Sequence, residues 1–536
     1  MKLNYRKDLN IASIKSESSW NKINVLTLLQ NNCGNRQPSV NAYLGARYSR
    51  SADSIVDIAS EIISSGTNAA ERLEKIFAGY GHKSVGDMAD LFVCIENIPM
   101  LTAMRIYYMN SVISGQERST RYQNFADPQF VKIPSEVCSD VSVRKGYEKI
   151  MLKQMRDYRE LNKKSREELQ KFFKINEESK EEVSALKARS FDVSRYLLPV
   201  GLSTSSAFLM SARNWAETIG YLSGGSSVVE DEVAKLLLNL LGDSTLEARG
   251  YVREAEGLIR HTDPNSSRVN STREVLEYMK KNLKREQMKE IPDSESEAIK
   301  VSYSPDCTET LISHYEALLN PLGSKTEYEF SDEDQEELSD ILFEYHNQHN
   351  TVGNVGQSGA IKIEGFASLG TLKDLNRHRS LERFVPLFNE CVDMDQELDR
   401  RNEDCFYLCN YLDIPQLKSL KKEYMERLEE TYEMIKEWRE EAKDCMPKEV
   451  VDEFTKYLLP HAHATRYIFY GSFDDLQYVI NLRTRNGGHI AYRVLTYDWL
   501  RRLSVQDYIW RALLKKIVVP KIDDKHQFVD RSSVLR

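Results

Sequence analysis

The chain repeats itself. Residues 194–204 read SRYLLPVGLST and residues 455–465 read TKYLLPHAHAT, and the spacing from Pro199 to Thr204 recurs from Pro460 to Thr465. Upstream, His82-Lys-Ser-Val85-Gly86 is echoed by His349-Asn-Thr-Val352-Gly353, and Arg47-Tyr48-Ser49 by Ser302-Tyr303-Ser304. Three matches in one order, at offsets between 255 and 267 residues, point to a tandem duplication. Such a chain must fold as two like units, and 536 residues exceed what one core holds.

After each His segment comes a comparable stretch, DLFVCIENIPMLTAMR in the first copy and AIKIEGFASLGTLKDLNRHR in the second. Each reads as a short alternating strand running into an amphipathic helix. Highly charged helical inserts at 144–190 and 416–445 hold similar places in the two copies, and a polar stretch at 262–298 looks like the connector. The expected division is a first domain at 1–270, a linker at 271–294 and a second domain at 295–536. The expected class is α/β (α+β), each domain a mixed sheet packed with helices.

Composition narrows the functions. The net charge of −9, without a long basic block, gives no sign of a nucleic-acid polymer as partner. No apolar run is long enough to span a bilayer, and the first residues lack a secretory pattern. The eight cysteines are scattered without a CxxC, and Cys405 and Cys409 lack companions at zinc-site spacing. Reduced thiols in a cytoplasmic protein without a bound metal are the expectation. GNVGQSG at 353–359 lacks the Lys-Ser/Thr of a phosphate loop and reads as a turn.

The chemistry-bearing residues divide between the copies. The first has GQERSTRYQNF at 115–125, where Glu117, Ser119, Thr120 and Arg121 offer a carboxylate, hydroxyls and a guanidinium to one ligand, and it also has Arg213 in SARNW. The second has Arg377-His378-Arg379, read as part of a helix with apolar positions Leu369, Leu372 and Leu375, and INLRTRNGGHIAYR at 480–493. Counted from the two prolines, Arg213 corresponds to Asp474, Arg483 to Leu222 and Arg493 to Glu232, while Arg377–Arg379 correspond to Tyr108-Met109-Asn110. Each copy lacks the cations that the other keeps, as expected of one site assembled between unlike halves.

These motifs resemble those of the flavin-dependent thymidylate synthases, whose signature joins RHR, a Ser-x-Arg-Tyr element, a Leu-Pro…Thr…Asn-Ala-Arg stretch and a Leu-Arg with a second Arg ten residues on. The resemblance covers most of both copies, and neither copy carries the whole signature. It implies two tandem domains of that family's fold. Arg377, His378 and Arg379 would bind the flavin with Asn481 and Arg483, and His349 would line its pocket. Glu117, Ser119, Thr120, Arg121 and Tyr122 would form the nucleotide loop. Arg213 would join Arg121 on the phosphate, and Arg493 would polarise the pyrimidine; Arg493 and Ser119 would be the catalytic residues. The implied reaction is reductive methylation of dUMP to dTMP with FAD, methylenetetrahydrofolate and NADPH. The implied assembly is a homodimer imitating a tetramer. The departures are SLERFVP in place of the second Ser-x-Arg-Tyr, Ser211 for the Asn of Asn-Ala-Arg, and Gly488-His489 after the Leu-Arg segment.

Plainer readings stand beside these. RHR alone is a solvated basic patch, ERSTRY a helix cap, Arg213 and Arg493 partners of nearby acids, and His82 and His349 turn residues. Two rival functions are modification of another pyrimidine nucleotide at C5 and a non-catalytic flavin- or nucleotide-binding scaffold or regulator.

Overall fold

The computed structural model describes residues 3–6, 11–17, 22–28, 38–48, 51, 53, 55–64, 83–110, 113–119, 129–242, 255–282, 294–302, 331–344, 360–398 and 405–531. The first sheet contains β1 (Leu3–Arg6), β2 (Ile11–Lys15), β3 (Asn24–Leu28), β4 (Asp90–Pro99), β5 (Ser114–Glu117) and β6 (Ser203–Ser211), in the order β1-β2-β3-β4-β6-β5. The second contains β7 (Lys300–Ser302), β8 (Ile361–Ser368), β9 (Glu382–Phe384) and β10 (Ala464–Gly471), in the order β7-β8-β10-β9. Among the described residues every strand pairing is antiparallel, which makes the class α+β.

The duplication is visible element by element. In the first half β4 leads into α1 (Met100–Met109) and β5. Then come α2 (Val141–Phe173), α3 (Lys180–Ser194), β6, α4 (Ala212–Ser223) and α5 (Val228–Leu241). In the second half β8 leads into α6 (Leu369–Leu375) and β9. There follow α7 (Lys418–Lys443), α8 (Lys448–Leu458), β10, α9 (Phe473–Arg483) and α10 (Ile490–Gln506). Alternation forms the strands: Leu91, Val93 and Ile95 of β4, and Ile361 and Ile363 of β8, are buried between less buried neighbours. Serine starts the helices that follow. Ser211 accepts from the Asn214 N–H, and Ser472, one repeat later, closes a capping box with Asp475. The connector is partly helical, with Ser267–Asn282 forming one helix.

Two of the seams between the halves are built from segments present in both copies. At the first, the paired LLP segments exchange hydrogen bonds about a local twofold. Val200 N–H donates to Leu459 O and His461 N–H to Leu198 O, each at 2.9 Å; Gly201 N–H meets Tyr457 O at 2.8 Å and Ala462 N–H meets Tyr196 O at 2.9 Å. Each bond has its mirror, so the exchanged residues are the repeated ones. At the second seam the charged inserts α2 and α7 run antiparallel. Trp438 Nε1 donates to Val143 O at 2.9 Å, Lys153 Nζ to the Thr431 hydroxyl at 3.1 Å, and the Ser165 and Tyr424 hydroxyls meet at 2.7 Å. Their apolar residues recur at helical spacing along one stripe: Tyr147, Ile150, Met151 and Leu161 on α2, and Tyr424, Leu428, Ile435 and Trp438 on α7. Most charges between them face outward, while the buried Lys153 pairs with Asp157 at 2.7 Å inside the seam. Burying each large side chain here contributes roughly 2 kcal/mol.

Candidate functional site: a cationic cleft between the halves

Helix α6 ends at Leu375, short of the cationic triplet. Asn376 is its C-cap, its N–H donating to Leu372 O at 2.7 Å, and the His378 N–H returns to Leu375 O at 3.0 Å. Asn376 Nδ2 donates to Met104 O of α1 at 2.7 Å, while Arg383 donates to Asn376 O and, at 3.1 Å, to Tyr107 O. Arg377, His378 and Arg379 therefore stand on a turn beyond the helix, not within it as their spacing suggests. Contacts with the first half hold that turn.

The turn forms one wall of a cleft of about 1060 Å³. The second half contributes Arg377–Ser380, Tyr478, Leu482 and Arg483; the first contributes Asp87, Asp90, Ser114, Leu209 and Arg213, among others. Cationic groups separated by more than 160 positions in the chain thus face one space. Arg213 reaches it from the start of α4, Arg483 from the end of α9.

Carboxylates from both halves station these cations. Glu117, at the end of β5, is buried and takes Lys373 Nζ at 2.5 Å and Arg377 Nη2 at 2.9 Å. Burial would raise its pKa, but the two cations outweigh it and hold Glu117 below the ordinary carboxylate range. Arg195 from the first half donates to Asp374 Oδ2 and Gly370 O, both at 3.0 Å. Burial opposes the charge on Asp374 too, yet Arg195, Arg377, Arg483 and Lys373 keep it ionised far below its usual range. Arg483 donates through Nη2 to Asp374 O at 2.9 Å and through Nε to His378 Nε2 at 2.7 Å. Burial first, then Arg483 and Arg383, push His378 well below the usual imidazole value. His378 is therefore neutral, with Nε2 as acceptor.

The opening cations differ in their commitments. Arg213, about 40% exposed, donates to Asp87 Oδ2 at 3.1 Å and to Glu217 Oε1 at 3.2 Å, and both carboxylates raise its pKa. Arg379 reaches the Ser114 hydroxyl of the first half at 3.3 Å. Among the described residues Arg377 Nε is buried without a partner.

The repeat defines a second, pseudo-equivalent position, and it is different. There Tyr108 stands for Arg377, Met104 for Lys373 and Leu222 for Arg483. Extending the β9–β10 register one residue past the Ile468–Phe384 pair puts Val385 in the place of Glu117, which pairs with Ser206. The connector lies across it. The Asn265 N–H donates to Gly220 O at 2.8 Å, and Asn265, Val269 and Thr272 close over Tyr108, Met109 and Tyr221, leaving about 40 Å³.

Not every expected residue reaches the open cleft. Arg493 is fully buried in α10 and donates to Thr484 O at 3.2 Å, Asn486 Oδ1 at 2.7 Å and Gln527 Oε1 at 2.9 Å. It does not line the cleft; it ties down the turn that follows Arg483. Burial pushes its pKa down to about 10. Asn481 is buried on α9, its carbonyl taking Arg485 Nε at 3.2 Å, and it too is absent from the cleft wall. Ser119 is exposed two residues past β5. Thr120, Arg121, Tyr122, His82 and His349 lie outside the described residues. Lys373, Asp374, Arg195 and Asp87 carry no motif that marks them in the sequence. Arg195 had a signal: it stands four residues before Pro199, where the other copy has Lys456 before Pro460.

Fold and cleft define a two-copy α+β protein whose halves close around a cationic site. The chain belongs to the family described as thymidylate synthase complementing protein, the flavin-dependent thymidylate synthases, whose sequence model it matches twice, at residues 28–235 and 285–505. It is 24% identical to a UPF0159 protein of Chlamydia pneumoniae over 479 residues, 85% of this chain and 82% of that one. A UPF0159 protein of Chlamydia muridarum is 22% identical over the same shares. A crystal structure of thymidylate synthase X from Helicobacter pylori with FAD and dUMP aligns with a TM-score of 0.30 and 14% identity, covering 40% of this chain and 99% of that one. Among the described residues no helix is long and apolar enough to cross a membrane, and no cluster of three His, Cys, Asp or Glu is placed to hold a metal.

Proposed function

We propose that the chain is a flavin-dependent thymidylate synthase with one working site per chain, in the cleft between its halves. The reaction is the reductive methylation of dUMP to dTMP, with methylenetetrahydrofolate as carbon donor and NADPH as reductant. The observation that carries this reading is the cleft itself: in a chain of this family, Arg377–Arg379 and Arg483 of one half face Arg213 and Ser114 of the other.

The residues present fit an FAD. The cleft has room for a large ligand, and its donors suit a diphosphate: Arg379, the orphaned Nε of Arg377, and the outward side of Arg483. When bound, the flavin would supply the hydride. The chain's own groups position and shield. Glu117 and Lys373 fix Arg377; Arg195 and Asp374 fix the strand of contacts leading to Arg483; His378 stays neutral as an acceptor. We assign Glu117, Ser119, Thr120, Arg121, Tyr122 and Arg213 to the nucleotide side, where Arg213 exchanges Asp87 and Glu217 for the phosphate. His349 and Asn481 go to the flavin side, and Arg493 supports the turn behind Arg483. Two chains would pair as a dimer in the cytoplasm.

The test is formation of labelled dTMP from dUMP with all co-substrates, by the wild type and by Arg213→Ala and Arg379→Ala. Product from the wild type, reduced at least tenfold in both variants, supports the reading. Flavin binding without product would favour the second reading, a non-catalytic flavin- or nucleotide-binding descendant. That reading draws on the carboxylates already paired with Arg213.

A further inference from the structure

The start of α2 and the end of α7 bring together two cysteines from different halves, far from the cleft in sequence and outside its lining. Cys138 lies two residues before the N-cap of α2, and Cys445 follows the last turn of α7 with its N–H on Ala442 O at 3.0 Å. Both thiols converge on Asp140. Cys138 Sγ donates to its carbonyl at 3.7 Å and Cys445 Sγ to its Oδ2 at 4.0 Å, which brings the two thiols together on one residue. Cys138 is buried, while Cys445 is partly open to solvent.

We propose that Cys138 and Cys445 are a redox-sensitive pair that forms a disulfide between the two halves on exposure to a peroxide. The open thiol reacts first. Hydrogen peroxide gives one oxygen to the Cys445 sulfur, producing a sulfenic acid and one water. The Cys138 sulfur then displaces the hydroxyl from the Cys445 sulfur, forming the S–S bond, and the Cys138 proton leaves with it as a second water. Two thiols lose two electrons and the peroxide gains them. Disulfide geometry demands sulfurs that already lie close together, and both of these sit against Asp140.

Asp140 sets the pace. Burial and the Asp140 carboxylate, with Cys138 and Asp444 beside them, hold Cys445 as the neutral thiol, which reacts slowly. The same carboxylate caps α2 through the N–H groups of Ser142 and Val143. Asparagine caps a helix as well as aspartate does, so Asp140→Asn removes the charge and keeps the cap.

The full chain is treated with hydrogen peroxide, quenched with a thiol-alkylating reagent, digested without reductant and analysed by mass spectrometry. The expected result is a peptide pair joining Cys138 to Cys445, lighter by two hydrogens than the sum of the reduced peptides, absent from Cys138→Ser, and formed several-fold faster in Asp140→Asn. Alkylation of both cysteines after peroxide, or linkage of Cys445 to another cysteine, would overturn the pairing. An unchanged rate in Asp140→Asn would overturn the role given to that carboxylate.

Discussion

At the residue scale the cleft depends on ion pairs that cross between halves. Glu117 is nearly inaccessible, as is Lys373, so Glu117→Gln leaves an ammonium buried beside a neutral amide. The expected loss is about 3 kcal/mol of unfolding free energy, read from urea denaturation at pH 7. The sign with pH follows from the direction of the shift. Because the folded Glu117 carboxyl sits below its unfolded value of about 4.3, its contribution is full above that value and disappears as pH falls through the lower, folded one. The wild type should therefore lose stability in acid more steeply than Glu117→Gln, and parallel acid limbs would contradict this. His378 acts in a higher window. It is held neutral in the fold, so the unfolded chain binds more protons below about pH 6.5, and stability declines as pH drops from there. A His378→Gln chain should show a flatter profile between pH 7 and 5. Arg213 behaves differently, being half open to solvent. Arg213→Ala should change stability by no more than about 0.5 kcal/mol, while weakening dUMP binding at least tenfold in a calorimetric titration.

At the scale of elements, what the sequence showed and what it hid separate cleanly. The strand–helix pairs β4–α1 and β8–α6 were legible because alternation at period two passes into helical spacing at Pro99 and Ser368. The repeat was legible because LLP segments that bond to each other must keep their spacing. The end of α6 was not, since the signal is Asn376, whose side chain is claimed by Met104 of the other half. The burial of Arg493 has a readable reason: it shares a helix face with the buried Ile490 and Thr496, below the buried N-cap His489, and periodicity favours the interior for that face. The charged inserts concealed a seam because their apolar stripe is narrow and their mean composition polar. Trp438→Ala should open that seam, with a loss of about 3–5 kcal/mol by urea denaturation. A change under 1 kcal/mol would show that α2 and α7 contribute little to joining the halves.

At the scale of the whole molecule, the duplication has been used asymmetrically. Two copies related by a local twofold define two equivalent positions between them. One keeps Lys373, Glu117 and Arg377; the other has Met104, Val385 and Tyr108, with the connector laid over it. An ancestor with two like sites has become, on this account, a chain with one, and its halves have divided the ligands. The separation of cations seen in the sequence is the trace of that division. The measurement that tests it most directly is a titration of the purified chain with FAD, followed by visible absorption and equilibrium dialysis, beside Arg379→Ala and Tyr108→Ala. One FAD per chain is expected, lost with Arg379→Ala and kept with Tyr108→Ala. Two flavins per chain, or binding that survives Arg379→Ala and fails with Tyr108→Ala, would contradict it.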